Sequence, residues 1–201
     1  MGRKRGFDLG DVLEVVRDQF WDHGYEGTST YDLMDATGLG KGSIYKAFGN
    51  KHDLYLRALT EYSEGLVTQA RAALSPEAGG SPRARVENYL TAIARSFSAQ
   101  SPRRGCFLTK GTVDLADNDE PVAEVARNAF ARIATSFAEA VEAGQSAGEI
   151  APDVDAAAVG YLFVSVIRGI DTLSRSGIAE PVLLGVVRTA MAAIPGPGIA
   201  A

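Results

Sequence analysis

The sequence predicts an all-α protein of about nine helices, a small three-helix head followed by a larger helical body. Three observations carry this. Apolar residues recur at spacings of three and four, the helical period, and no convincing run alternates at two. Glycine, proline and Asx clusters cut the chain at helix-length intervals. A hydrophobic content of 46% against 22% charged residues supplies a core for a chain of 201 residues.

In the first helix, Leu9, Val12, Leu13, Val16 and Phe20 share one face. Asp8 is placed to cap its start and Gly24 to end it in a left-handed turn. Ser29 with Asp32 three residues on is a capping-box start for a second, short helix, which Gly38 and Gly40 stop. A third helix spans roughly Lys41 to Phe48. Asn50 caps a long fourth helix, whose apolar face runs from Leu54, Ala58 and Leu59 through Leu66 toward Leu74.

The stretch Ser75 to Pro82 reads as a loop, with Ser81 and Pro82 starting a fifth helix on Val86, Leu90, Ile93 and Phe97. Ser101-Pro102 breaks that helix, and a sixth segment covers Cys106 to Ala116. Asp117-Asn118-Asp119 forms a turn and cap, and Pro121 sits in the first turn of a helix reaching about Ala143. Gly144 and Gly148 mark a loop, Asp153 or Asp155 caps a helix that runs to Ser176, and Pro181 begins the last helix, to about Ile194. The boundary between head and body falls near residues 50–58, giving units of 1–55 and 56–201.

Net charge is −5, which at first argues against a polyanionic partner. The distribution reverses that inference. Lys41, Lys46 and Lys51 lie in the acid-free stretch between Asp35 and Asp53, whereas residues 58–201 hold 16 acids against 12 bases. A basic head on an acidic body is compatible with DNA binding by the head alone. No apolar run of about eighteen residues is apparent, so no membrane span is expected. The first residues lack a signal-peptide core, and the single cysteine, Cys106, fits a reducing cytoplasm.

The segment from Ser29 to Phe48 carries the functional signal: two short helices joined by a glycine turn. Leu33, Leu39, Ile44 and Phe48 turn inward, with Phe20 and Trp21 as floor. That leaves Lys41, Gly42, Ser43, Tyr45 and Lys46 outward on a helix suited to a DNA groove. Ammonium and hydroxyl groups suit phosphate oxygens, and Gly42 has no side chain to hold a backbone off. Ser29 and Thr30 open the preceding helix at the same face, Lys51 is a further phosphate clamp, and Arg3, Lys4 and Arg5 form an arm long enough for an adjacent minor groove.

The run GYEGTSTYDLMDATGLGKGSIYKAFGNKHDLYLRAL, with Phe20, Gly24-Tyr25, Thr28-Ser29, Asp32, Ala36, Gly38-Leu39, Lys41-Gly42-Ser43-Ile44-Tyr45, Phe48 and Lys51, resembles the N-terminal domain of the tetracycline-repressor (TetR) family of bacterial transcription regulators. The match covers about residues 7–59. It implies a homodimeric, all-helical, ligand-responsive repressor with Ser43, Tyr45 and Lys46 at DNA and Lys51 on a phosphate. Two positions depart from the family pattern. Gly40 stands where a serine is common, and Ala47 where a histidine is frequent.

For the body, the resemblance implies that the last two helices pair with those of a second copy. Val159, Leu162, Phe163, Val166, Ile167 and Ile170 with Leu183, Leu184, Val187 and Met191 supply the apolar surface. Helices five to eight would enclose an effector pocket, with Tyr89, Phe97, Cys106, Phe107, Phe130, Phe137 and Tyr161 as candidate lining. No charged cluster marks it, so the expected effector is small and largely apolar or aromatic. The expected partners are an operator in double-stranded DNA, that effector and a second copy of the chain.

Three alternatives stand beside this reading. Cys106 follows Arg103, Arg104 and Gly105 at a helix start, where cations and N–H groups favour thiolate, so a redox- or electrophile-sensing repressor is one. A dimeric ligand-binding scaffold without DNA binding is the second. An enzyme is the third, and it has little to stand on: His23 and His52 are the only histidines and show no metal-ligand spacing. No catalytic residue, metal or cofactor is expected.

Overall fold

The structure is a computed structural model that describes residues 9–101 and 103–198. Asp8 and the basic arm Arg3, Lys4 and Arg5 lie outside the described residues. Among those described, the chain forms nine α-helices and no strand: α1 Leu9–His23, α2 Thr30–Thr37, α3 Lys41–Phe48, α4 Lys51–Leu74, α5 Pro82–Ala99, α6 Phe107–Leu115, α7 Glu120–Ser146, α8 Ala156–Arg175 and α9 Glu180–Ala190. Short 3-10 turns cover Pro76–Ala78 and Met191–Ala193.

The chain divides into two compact units, residues 1–63 with 107–125 and residues 64–106 with 126–201. The first unit is built on aromatic rings. Phe20, fully buried on α1, meets Tyr55 of α4 edge-on, with ring centroids 5.1 Å apart. Phe107 at the start of α6 closes the cluster against Trp21, Tyr55 and Tyr62. Edge-to-face geometry of this kind adds about 0.5–1.5 kcal/mol per pair beyond burial. Leu33, Ile44 and Phe48 bury the inner faces of α2 and α3. Gly111 of α6 lies beneath Tyr55, where a Cβ would stand 2.5 Å from the hydroxyl oxygen. Burial pushes the Tyr55 phenol well above its ordinary pKa, so it stays protonated.

The second unit packs α5 against α8 and α9. Tyr89, Phe137 and Phe163 stack in series, at centroid distances of 5.7 and 5.2 Å, within a core of Leu90, Ile170, Leu183 and Val187. Burial raises the Tyr89 hydroxyl to about 12. Gly160 lets α8 approach α7 closely, since a Cβ there would meet the Ala134 carbonyl oxygen at 2.4 Å. Arg85, buried, donates from Nε to the Leu74 carbonyl at 3.0 Å and from Nη1 to the Gly80 carbonyl at 3.0 Å, which ties down the α4–α5 loop.

Several boundaries shift from the sequence expectation. Gly144 is not in a loop: α7 runs past it, because it gives room to Ile150, whose Cδ1 would lie 2.5 Å from a Cβ. The break falls at Gly148, in the left-handed region with φ 71°. Asp155, rather than Asp153, caps α8, accepting from the Ala158 N–H at 3.0 Å. The last α-helix stops at Ala190 and tightens into the 3-10 turn. One helix bears on the membrane expectation. By length and composition alone α8 could cross a bilayer. It carries Arg168 and Asp171, however, and buries Phe163, Ile167 and Ile170 in the protein core.

Candidate nucleic-acid interface

The α2–α3 pair is fixed by caps at three of its ends. Ser29 Oγ accepts from the Asp32 N–H at 3.2 Å, and the Asp32 carboxylate accepts from the Ser29 N–H at 2.7 Å. This reciprocal bonding, chiefly the Ser29 contact, holds the Asp32 carboxyl below the usual range. At the other end of α2, Gly38 adopts the left-handed conformation at φ 66°, which reverses the chain in two residues. Past α3, Gly49 has φ 88°, and Asn50 and Asp53 repeat the reciprocal capping at the start of α4. The start of α3, unlike the starts of α2 and α4, lacks a side-chain cap, because Gly40 is its N-cap.

Lys41, Gly42, Ser43 and Lys46 are exposed on one side of α3, opposite buried Ile44 and Phe48. A Cβ at Gly42 would meet nothing within 4 Å. No packing neighbour therefore requires a glycine at this position. Tyr45 is half-buried and locked: its hydroxyl is 2.8 Å from Thr30 Oγ1. The Lys41 ammonium stands 5.7 Å from the Tyr45 ring centroid. The structure thus brings Thr30, Tyr45 and Lys41 into one connected set that joins the two helices.

Lys51 is placed differently. Its ammonium lies 4.2 Å over the Tyr25 ring, beside His52, whose Nε2 is 2.7 Å from the Asp119 carboxylate. Ala47 is half-buried on α3. One residue escaped the sequence reading. Tyr31 on α2 is 81% exposed, the most open large hydrophobic side chain among those described. Its spacing gives the signal: Leu33 points inward, and a residue two positions back on a helix lies about 200° around.

The effector candidates split. Tyr89 and Phe137 belong to the buried stack, and Phe97 is buried on α5. Phe107 stands in the aromatic cluster of the first unit. Phe130 and Tyr161 line an open groove between α7 and α8. Cys106 is 1% exposed, with Arg168 Nη1 donating to its Sγ at 2.9 Å. Of the proposed pairing residues, Val159, Phe163, Ile167, Ile170, Leu183, Val187 and Met191 are buried within the chain's own core. Two others of that set, Leu162 and Val166, join Val182, Val186 and Ala190 in an apolar groove on the outer face of α8 and α9.

Two family models match the chain: one described as bacterial regulatory proteins, tetR family, over residues 12–58, and one described as tetracyclin repressor-like, C-terminal domain, over residues 82–179. The HTH-type transcriptional repressor ComR of Escherichia coli (strain K12) is 27% identical over 190 residues, which cover 94% of this chain and 90% of that protein. Among solved structures, a cysteine mutant of the TetR family transcriptional regulator CifR, complexed with 26bp double-strand operator DNA, superposes with a TM-score of 0.82 at 27% identity, covering 96% of this chain and 100% of that one. Reduced NemR of E. coli shares the fold, with a TM-score of 0.83 at 16% identity over 94% of this chain and 98% of that one.

Proposed function

Because the chain belongs to the TetR family of bacterial transcription regulators, we propose that it is a cytoplasmic repressor that binds a palindromic operator as a homodimer and leaves it when a small effector binds the body. The observation that carries this is α3. It presents Lys41, Gly42, Ser43 and Lys46 on one open face, over a buried Ile44 and Phe48 that hold it in place. In the proposal α3 enters the major groove. Ser43 and Lys46 meet base edges, and Lys41, Tyr45 and the α2 start (Ser29, Thr30) hold phosphates. Lys51 and the arm Arg3, Lys4 and Arg5 add backbone and minor-groove contacts. Operator-bound CifR, similar over nearly the whole chain, supports the reading.

The apolar groove of α8 and α9 gives a second copy its seat, with Leu162, Val166, Val182 and Val186 exposed or half-buried. Twofold pairing sets half-sites roughly 34–36 Å apart on the operator. The effector acts by population shift: it must favour a release state over the DNA-bound state by a coupling energy of about 1–3 kcal/mol. Of the candidate lining residues, Phe130 and Tyr161 face accessible space, and α4, one continuous helix, is the proposed lever. Sensing through Cys106 is the weaker alternative, since the thiol is closed off from solvent and held by Arg168.

The test is fluorescence anisotropy with DNA from upstream of the chain's own gene, over a series of salt concentrations. A repressor binds one promoter in the nanomolar range, with an affinity that falls steeply with salt. Failure on every neighbouring promoter would favour a scaffold that has lost DNA binding.

A further inference from the structure

The chain passes from the first unit to the second inside α4, between Ser63 and Glu64. The helix is held on either side of that point. Before it, the Tyr62 ring meets Trp21 edge-on at 5.0 Å and Phe107 at 5.8 Å. After it, Arg132 of α7 donates to the Glu64 carboxylate, and Val67 and Ala70 are buried. Between these holds stands Gly65, the single glycine of α4. It is exposed, its φ is not in the left-handed region, and a Cβ there would meet nothing within 4 Å. Gly111, Gly144 and Gly160, also inside helices, each make room for a neighbouring atom. Gly65 makes room for none, yet it weakens the helix, because glycine has the most backbone freedom to lose. Two residues earlier, buried Ser63 turns its hydroxyl back to the Leu59 carbonyl at 2.6 Å, a bond of the kind that bends helices. Glycine and serine together recur where helices kink.

We propose that Ser63 to Gly65 is the hinge of α4, where the helix opens locally so that the DNA-binding unit re-aims between bound and released states; the use in DNA binding, though not the hinge, rests on the function proposed above. A lever needs stiff arms and one soft turn. Tyr62 fixes one arm in the aromatic cluster, and Val67 and Ala70 fix the other in the second unit, so bending concentrates between them. The other two passages between the units are stiffer. α7 crosses at Val125–Ala126 with no glycine, serine or proline from Val122 to Ile133. The passage at Cys106–Phe107 follows Gly105, where a Cβ would stand 2.5 Å from Arg175 Cδ and 2.6 Å from the Asp171 carboxylate, so this glycine is packed in place. α4 is therefore the member that gives. Elements that move in allostery are drawn from such weakly held turns.

Amide hydrogen exchange of the full-length protein, resolved by NMR, tests the hinge. The N–H groups of residues 66–69 bond across Gly65, and their protection factors should lie about tenfold below those of residues 54–59 in the same helix. Gly65→Ala, which has room for its methyl group, should raise them about fivefold and leave residues 54–59 unchanged. Glu61→Ala, at an exposed position one turn earlier, should change them by no more than about twofold. Equal protection along α4, or a rise shared by the whole helix, would overturn the hinge, since the glycine would then only lower overall stability. Operator anisotropy on the same samples tests its use. When one base pair is added between the half-sites of the bound promoter, Gly65→Ala should lose about fivefold more affinity than the parent, because a soft α4 lets each head follow its groove. Equal losses beside a local opening would overturn the role in DNA binding and keep the hinge. Binding to no promoter would overturn the repressor, and the exchange result would decide the hinge alone.

Discussion

The α2–α3 pair and the α7–α8 groove solve opposite problems. The pair must present a fixed shape, and local devices fix it: a reciprocal cap at Ser29–Asp32, a left-handed Gly38, and a second reciprocal cap at Asn50–Asp53. Each device acts within about four residues of chain. The groove is assembled from Phe130 and Tyr161, residues 31 positions apart, on two helices that approach closely where Gly160 meets the Ala134 backbone. Shape held by local bonds tolerates a change at its outer face. Shape held by packing fails when a core ring is removed.

The largest expected effect tests that contrast. Phe163→Ala removes a fully buried ring stacked on Phe137 in the second unit, and should cost about 3–5 kcal/mol in urea denaturation. The contrast breaks if the loss is below about 1 kcal/mol. Gly42→Ala comes next and has opposite signs on fold and function. Nothing lies within 4 Å of a Cβ there, so the helix should gain up to about 1 kcal/mol. Operator affinity should fall by about tenfold, or about 1.4 kcal/mol, if backbone meets DNA at this point. Undiminished affinity would show that α3 approaches DNA elsewhere.

The same contrast explains what was legible in the sequence. The helices of the head could be read nearly to the residue, because Ser29, Gly38 and Asn50 each signal through their immediate neighbours. Gly177 announced the end of α8 for the same reason, while its start stayed open between Asp153 and Asp155, either of which could cap. Gly144 misled, because a glycine that makes room for Ile150 looks in sequence like one that ends a helix. Arg127 and Arg168 were invisible as a pair: they are 41 positions apart and line one groove only through the packing of α7 and α8. The Thr30–Tyr45 bond was hidden likewise, since both residues read separately as DNA contacts.

That bond supplies the third prediction. Tyr45→Phe removes the hydroxyl 2.8 Å from Thr30 Oγ1 while keeping the ring beside Lys41. Stability should fall by about 1 kcal/mol, since a half-buried Thr30 hydroxyl loses its partner. A Thr30→Val/Tyr45→Phe double change costing no more than either single change would identify the bond as the link between the two helices. Additive losses would mean that each hydroxyl acts on its own.

The smallest effects lie at the caps, and they set the weakest end against the strongest. Ser29→Ala should cost about 1 kcal/mol by opening the reciprocal cap on α2. Its pH dependence has a defined sign. The folded state depresses the Asp32 pKa, so the cap's electrostatic contribution is complete above the ordinary carboxylate range and is lost as pH falls through the lower folded value. Denaturation midpoints of the parent chain and of Ser29→Ala should therefore converge on acidification; a constant gap would place the stabilisation in packing rather than in the Asp32 charge. Gly40→Ser supplies the missing cap of α3, where glycine falls only a few tenths of a kcal/mol short of serine. A gain of that size, with operator affinity unchanged or improved, would show that the α3 start is uncapped without functional need. A gain in stability with lost affinity would mean that the bare N–H groups of α3 serve DNA phosphates directly.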